Sequence, residues 1–377
     1  MNKKLIIGII IAIVILAIIF LSLNKTGYTT LNKDDKIKIG VMAMVTGPFA
    51  YVGENDLQTI ELTLEELGYS DKVELIVEDT GQNNNLANTV LAYRKLVDID
   101  EVEVIFNIMT TDGSMVIAPF LEEDKVVVMT PGTGGRQIDY TSEYMFRNGP
   151  SDIKAGTQPA KDLYNKLNYD VVAIFTDNSE YTLGITEDFI SEYKGNVVIN
   201  QTLLLNRQDY STEISKLLNK ELDVIMINSQ DGLFAGYIVK ELNEQNFDLP
   251  IFINFFAYNQ NSIDIAGSNL FEGIYVYAAE FNEKASYTIE FFEKYKSRYG
   301  DYPVVPFHST GTYDCIKMFL EAIDAVGYDG EKIREYLLEN IQDWEGMNGI
   351  VSFDERGNTQ TGFVLKQVRN GELVLVE

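Results

Sequence analysis

The sequence predicts an α/β protein built as two Rossmann-like lobes with parallel sheets, preceded by one N-terminal transmembrane helix. Three observations carry that expectation. Val- and Ile-rich runs of strand length alternate with helical patterns along most of the chain, the signature of parallel strands covered by helices on both faces. These units outnumber what one sheet holds, and 377 residues with 46% hydrophobic content suffice for two cores. The first 24 residues stand apart from the rest in composition.

Those residues open with the short basic head Met1-Asn2-Lys3-Lys4 and continue as Leu5–Leu23 without a charge. As a helix the run spans about 28 Å, enough for a bilayer. A cleavable signal has a shorter apolar core and a small-residue cleavage site. Ile19-Phe20-Leu21-Ser22-Leu23 supplies neither. The expectation is an uncleaved anchor in residues 1–24, with Lys3 and Lys4 inside and the remainder extracytoplasmic. A cleaved signal would give the same compartment. Residues 25–36 are polar and read as a linker.

The first strand, Ile37–Val45, runs into the tight turn Thr46-Gly47-Pro48, with a helix opening near Gly53. Such a turn brings backbone N–H groups and hydroxyls to the carboxyl end of a sheet, where open α/β proteins bind ligands. Further strands are expected at Val73–Asp79, Val102–Met109, Val126–Thr130, Val171–Thr176, Val197–Leu205, Val224–Asn228, Ile251–Phe255 and Gly273–Ala278. Between them lie helical patterns at about Gly53–Leu67, Leu86–Val97, Ser114–Glu123, Ile153–Leu167, Leu183–Tyr193, Tyr210–Asn219 and Phe234–Asn246. The repetition breaks at Tyr144–Ser151. Helices at Ser286–Tyr299, Phe307–Val326 and Lys332–Asn340 follow, then Gly349–Phe353 and a hairpin turned by Asn370-Gly371.

A net charge of −27 argues against nucleic acid, whose binding rests on cationic side chains. Cys315 and His308 are the only residues of their kinds, so no His/Cys zinc cluster and no intrachain disulfide can form. No cofactor is expected. Pro131-Gly132-Thr133-Gly134-Gly135-Arg136 begins like a dinucleotide loop, but the G-x-G-x-x-G spacing fails at Gln137.

Several strings together resemble the leucine/isoleucine/valine-binding (branched-chain amino-acid) receptors of ABC transporters. They are Thr46-Gly47-Pro48-Phe49 with Tyr51 and Gly53, Val77-Glu78-Asp79-Thr80, Val126–Pro131, Ile174-Phe175-Thr176-Asp177 with Tyr181 and Gly184, and Phe353–Gly357. The resemblance covers essentially all of residues 36–377. It implies the type I periplasmic binding protein fold, with two lobes joined by three hinge strands and the ligand in the cleft between them. Lobe 1 would comprise 36–149 plus 280–349, and lobe 2 150–279 plus 350–377. The crossings would fall near Arg147–Ser151, Ala278–Asn282 and Asn348–Val351.

The resemblance also implies a carboxylate grip at Thr110, Thr111, Gly132 and Thr133, with Tyr181 as an aromatic lid. Hydroxyls and glycine suit that task because they offer donors without bulk, although turn chemistry explains the same residues without any ligand. Three departures stand out. The acid that pairs with an amino-acid ammonium falls on or beside Phe255 and Phe256, a second aromatic falls near Gln230, and a hydroxyl falls on Gly134. Asp231, Asp112 or Glu180 could replace the acid. Failing that, Phe255 and Phe256 would wall a pocket for a ligand without an amine. The implied function is capture of a small solute, an amino acid or related carboxylate, for the permease subunits of a transporter. An extracellular sensor signalling to a partner protein is the alternative. An enzyme on the same fold would have to rely on carboxylates, given the shortage of His and Cys.

Overall fold

The computed structural model describes residues 36–47, 49–81, 85–108 and 110–376. The expected anchor Leu5–Leu23, and all of the linker except Lys36, lie outside those residues. No helix among the described residues is long and apolar enough to cross a membrane.

The first sheet comprises β1 (Ile37–Ala43), β2 (Val73–Asp79), β3 (Val104–Ile108), β4 (Val127–Thr130) and β5 (Met145–Arg147). Its order is β2-β1-β3-β4-β5, with every pairing parallel. Between the strands run α1 (Ala50–Glu66), α2 (Leu86–Arg94) and α3 (Thr111–Asp124). The second sheet comprises β6 (Val171–Asp177), β7 (Asn196–Leu203), β8 (Val224–Asn228), β9 (Ile251–Asn254) and β10 (Tyr275–Ala279). It is completed by the hairpin β13 (Phe363–Arg369) and β14 (Glu372–Leu375), which adds antiparallel to β10. Its parallel part runs β7-β6-β8-β9-β10. Each sheet therefore places its second strand outside its first and its third on the other side. This order has a topological switch point beside the first strand, and a crevice opens there at the carboxyl ends.

Helices α4 (Asp152–Lys161), α5 (Glu180–Glu192), α6 (Ser211–Ser215), α7 (Gly232–Glu244), α8 (Gln260–Ala266) and α9 (Ser268–Phe271) accompany the second sheet. The chain then returns to the first core through α10 (Ser286–Tyr299), α11 (Pro306–Val326) and α12 (Gly330–Asn340). Residues Cys315–Leu320 of α11 are buried there except Lys317, and Cys315 is a packed core thiol. The second sheet has separate apolar clusters, one around Phe234 and Ile238 and one around Phe189 and Leu163. Two clusters are what a sheet covered on both faces requires.

Several sequence expectations shift. The break at Tyr144–Ser151 contains a fifth strand, β5, only three residues long and so beneath any periodic signal. The strand expected over Ile251–Phe255 stops at Asn254, and Phe255–Ala257 turn out of the sheet as a short 3-10 helix. Helices α3, α5 and α7 begin two or three residues earlier than their apolar periodicity, because Thr110, Ser179 and Asp231 cap them ahead of the first buried position. Gly53 lies inside α1, where a Cβ would sit 2.4 Å from the Met44 carbonyl oxygen.

Beyond β11 (Trp344–Gly346) and β12 (Gly349–Val351), Phe353 still packs edge-on against Phe146 with ring centroids 5.0 Å apart. The Arg147 N–H then donates to the Gly357 carbonyl. Between β11 and β12 the fully buried Asp314 accepts from the N–H groups of Met347 and Asn348, both at 2.8 Å. Burial pushes its carboxyl up to about 7 despite those bonds. In the unfolded chain the group ionises first, so rising pH favours unfolding until the folded group ionises too. Relative to Asp314→Asn, the wild type should lose roughly 2–4 kcal/mol of stability between about pH 4 and pH 7. Urea denaturation of both proteins across that range checks the slope, and parallel pH profiles would refute it.

Candidate ligand cleft

A cleft of about 560 Å³ opens where the carboxyl ends of the two sheets face each other. Met44 follows β1, Thr110 to Asp112 follow β3, and Gly132 to Gln137 follow β4. Opposite them, Asn178 to Tyr181 follow β6, Gln230 follows β8 and Phe256 follows β9. Both switch points thus border one cavity, of a size that encloses a small solute.

On the first side, α3 directs its N-terminus at the cleft. Thr110 caps it, its Oγ1 accepting from the Gly113 N–H at 3.4 Å. Thr111 Oγ1 accepts from the Gly135 N–H at 3.2 Å, which ties the loop after β4 to the helix start. The Thr133 hydroxyl is buried and engaged by Thr130 at 2.9 Å and Ser114 at 3.4 Å. A helix N-terminus with neighbouring hydroxyls is suited to an anion.

Two residues flank the Gly132–Gly134 loop that sequence reasoning did not select. His308, near the start of α11, holds Nδ1 3.1 Å from Oδ2 of the fully buried Asp56. Asp56 thus engages Nδ1 and leaves Nε2 on the side of the loop. That Nε2 has no partner among the described residues and lies where a Cβ on Gly132 would fall, 2.1 Å away. On the other flank Asp152, first residue of α4, is 6% exposed, and its Oδ2 has no partner among the described residues. Burial pushes its carboxyl up to about 7, with Asp139 and Asp188 adding to the rise and Arg147 opposing it.

The second side is held by Asp177. Its Oδ1 accepts from the N–H and hydroxyl of Ser179, and its Oδ2 from the Ser229 hydroxyl and the Gln230 N–H, both at 2.8 Å. One buried carboxylate therefore fixes the α5 start that carries Tyr181 and the loop that carries Gln230. Tyr181 meets Phe256 edge-on at 5.9 Å. Phe256 continues to Phe307 and His308, so an aromatic wall joins the two sides. Arg136 also bridges them, donating to the Gly184 carbonyl at 3.1 Å and pairing with Asp188 at 2.8 Å.

Among the residues selected from the sequence, Thr110, Thr111, Gly132, Thr133, Tyr181, Gln230 and Phe256 line the cleft together. Phe255 does not. It packs edge-on against Phe307 at 5.2 Å and borders a cavity of about 40 Å³ behind the wall. Asp231 caps α7 instead, its Oδ1 accepting from the Leu233 N–H at 2.9 Å. The other acids considered, Asp112 and Glu180, are in the cleft, joined by Asp152 and Asp188. No short-range pattern points to His308 or Asp152. Their partners are Asp56 and the Gly134 loop, which only the fold brings near.

Two facing Rossmann-like sheets with an enclosed cleft at their switch points define a solute-binding protein of the two-lobed type. The periplasmic binding protein family profile matches residues 36–372, and the chain belongs to that family. It is 24% identical over 367 residues to Leu/Ile/Val-binding protein homolog 7 of Brucella suis, covering 90% of this chain and 91% of that one. The fold matches LivJ of Streptococcus pneumoniae, crystallised with isoleucine, at a TM-score of 0.80 and 22% identity, covering 91% of this chain and 99% of LivJ. It also matches a solute-binding protein of R. palustris in complex with 4-hydroxybenzoate, at a TM-score of 0.78 and 20% identity, covering 91% and 96%.

Proposed function

We propose that this is the extracytoplasmic substrate-binding protein of an ABC transporter, held to the membrane through Leu5–Leu23. It captures a small carboxylated solute, an amino acid or an aromatic acid, and presents it to permease subunits. The observation that carries this reading is the single cleft shared by the switch points of both sheets, with the α3 N-terminus and the hydroxyls of Thr110 and Thr111 on its wall. The ligand carboxylate docks at those donors. Tyr181, Gln230 and Phe256 close over the rest of the solute. The lobes move by bending at the three crossings. Names of relatives support the solute class, which spans isoleucine and 4-hydroxybenzoate.

Thermal shifts of the full chain, purified in mild detergent, against amino acids, aromatic acids, amides and purines test the reading. A ligand at 100 times its Kd adds about 2.7 kcal/mol to stability. A response to amides or purines without carboxylates would refute it. For any responding carboxylate, Thr111→Val should weaken binding roughly 10-fold or more, the cost of one charge-assisted hydrogen bond. Unchanged affinity in titration calorimetry would remove Thr111 from the site.

A further inference from the structure

Arg136 reaches from the first sheet's side of the cleft to the second. It opens a short 3-10 helix, Arg136–Tyr140, beyond the loop that follows β4. Its Nη2 lies 2.8 Å from Asp188 Oδ1 and donates to the Gly184 carbonyl at 3.1 Å, both on α5. Glu187 Oε2 is 3.9 Å from the same nitrogen. The base of Arg136 is held in place. The preceding Gly135 N–H donates to Thr111 Oγ1, and a Cβ on Gly135 would fall 2.3 Å from Thr111 Cγ2. Asp139, in the same short helix, pairs with Arg147. Asp188 is placed as firmly, because α5 packs on α4 so closely that a Cβ on Gly156 would fall 2.6 Å from Asp188 Cβ. Burial pushes the Asp188 carboxyl up, and Arg136 is the group that opposes the rise. A charge-assisted contact between two fixed supports is directional and strong for its size.

With the lobes divided as the sequence implies, only one other ion pair among the described residues joins them, Lys366–Glu283 at 2.6 Å. That pair borders the second crossing, where rotation of the lobes displaces little. Arg136 and Asp188 both line the cleft itself, so opening must part them. Phe256 adds an apolar contact across the lobes, edge-on to Phe307 and His308. We propose that Arg136 and Asp188 form a latch between the lobes, a contact made wholly by protein that favours the closed form before a solute enters. This rests on the two-lobed reading above and adds the pair that positions the lobes. A solute that binds the closed form has an apparent affinity proportional to the closed fraction. Weakening the latch therefore lowers affinity for every solute by one factor, whereas deleting a ligand contact lowers each by its own.

Pulsed electron resonance on the full chain in mild detergent measures the distance between nitroxide labels at Leu91→Cys and Leu218→Cys. These are exposed positions on opposite lobes, and the buried Cys315 stays unlabelled. Without solute, the shorter of two distances should dominate in the otherwise wild-type chain. Arg136→Gln should shift the ratio roughly fivefold or more toward the longer one, the order expected for a partly buried ion pair. Asp188→Asn, which keeps the side chain's shape, should do the same, and the double variant should go no further. Arg136→Lys keeps a cation within reach of Asp188 and should restore most of the shorter distance. Distances unchanged in both single variants, or shifts that add in the double variant, would overturn the latch. Among L-leucine, L-isoleucine and 4-hydroxybenzoate, those that bind should lose affinity by one common factor in Arg136→Gln. Losses that differ between solutes would make Arg136 a ligand contact and overturn the latch. Silence with all three would count against the solute reading alone, and the distances would still decide the latch.

Discussion

Replacing Arg147 with methionine should cost about 3–5 kcal/mol of stability, the penalty for breaking a buried ion pair from one side. Arg147 is 1% exposed, lies in β5 and pairs with Asp139, while its Nη1 donates to the Gly134 carbonyl at 3.3 Å. Methionine fills much of the volume but leaves the Asp139 and Asp152 carboxylates without their shared cation. Burial already pushes Asp152 up to about 7, and Arg147 is the group that opposes the rise. The loss should therefore be larger at pH 8 than at pH 6, where Asp152 can take up a proton. Urea denaturation followed by circular dichroism measures it. A cost below about 1 kcal/mol would mean that the carboxylates find water or another donor.

Gly156→Val should have an effect of similar size, from sterics alone. Gly156 lies in α4 where that helix crosses α5, and a Cβ would sit 2.4 Å from the Ile185 carbonyl oxygen and 2.6 Å from Asp188 Cβ. Backbone cannot yield there without separating the helices, so the cost should reach about 3 kcal/mol, the upper part of the overpacking range. Because α5 carries Tyr181, Gly184 and Asp188 into the cleft, ligand affinity should fall as well. Thermal melting and calorimetry on the same preparation separate the two effects. Wild-type stability in the variant would show that α4 and α5 can part at no cost.

Much of the cleft was legible because it hangs on strand ends. Each strand run of Val and Ile marks its own carboxyl end to within a residue or two, and the loops and helix starts that follow β3, β4, β6 and β8 carry Thr110, Thr111, Gly132, Thr133, Tyr181 and Gln230. Errors followed a pattern. Apolar periodicity reports the buried face of a helix, so it marks starts at Ser114, Leu183 and Phe234, after the caps Thr110, Ser179 and Asp231. Asp231 thereby read as a free acid when its carboxylate serves the α7 N-terminus. Phe255 and Phe256 read as equivalent neighbours, but the turn after β9 sends only Phe256 to the cleft.

The sequence by itself determined the alternation of strands and helices, the number of units that forces two sheets, and the loops from which a cleft at the strand ends is built. Those features depend on local patterning, which a single chain displays directly. Tertiary structure alone decided which groups complete the site. The Asp56–His308 contact joins residues 252 positions apart, and Asp152 reaches the cleft only because a glycine at 134 leaves space beside it. Pairings of this kind are set by how one element packs on another, and no local spacing encodes them.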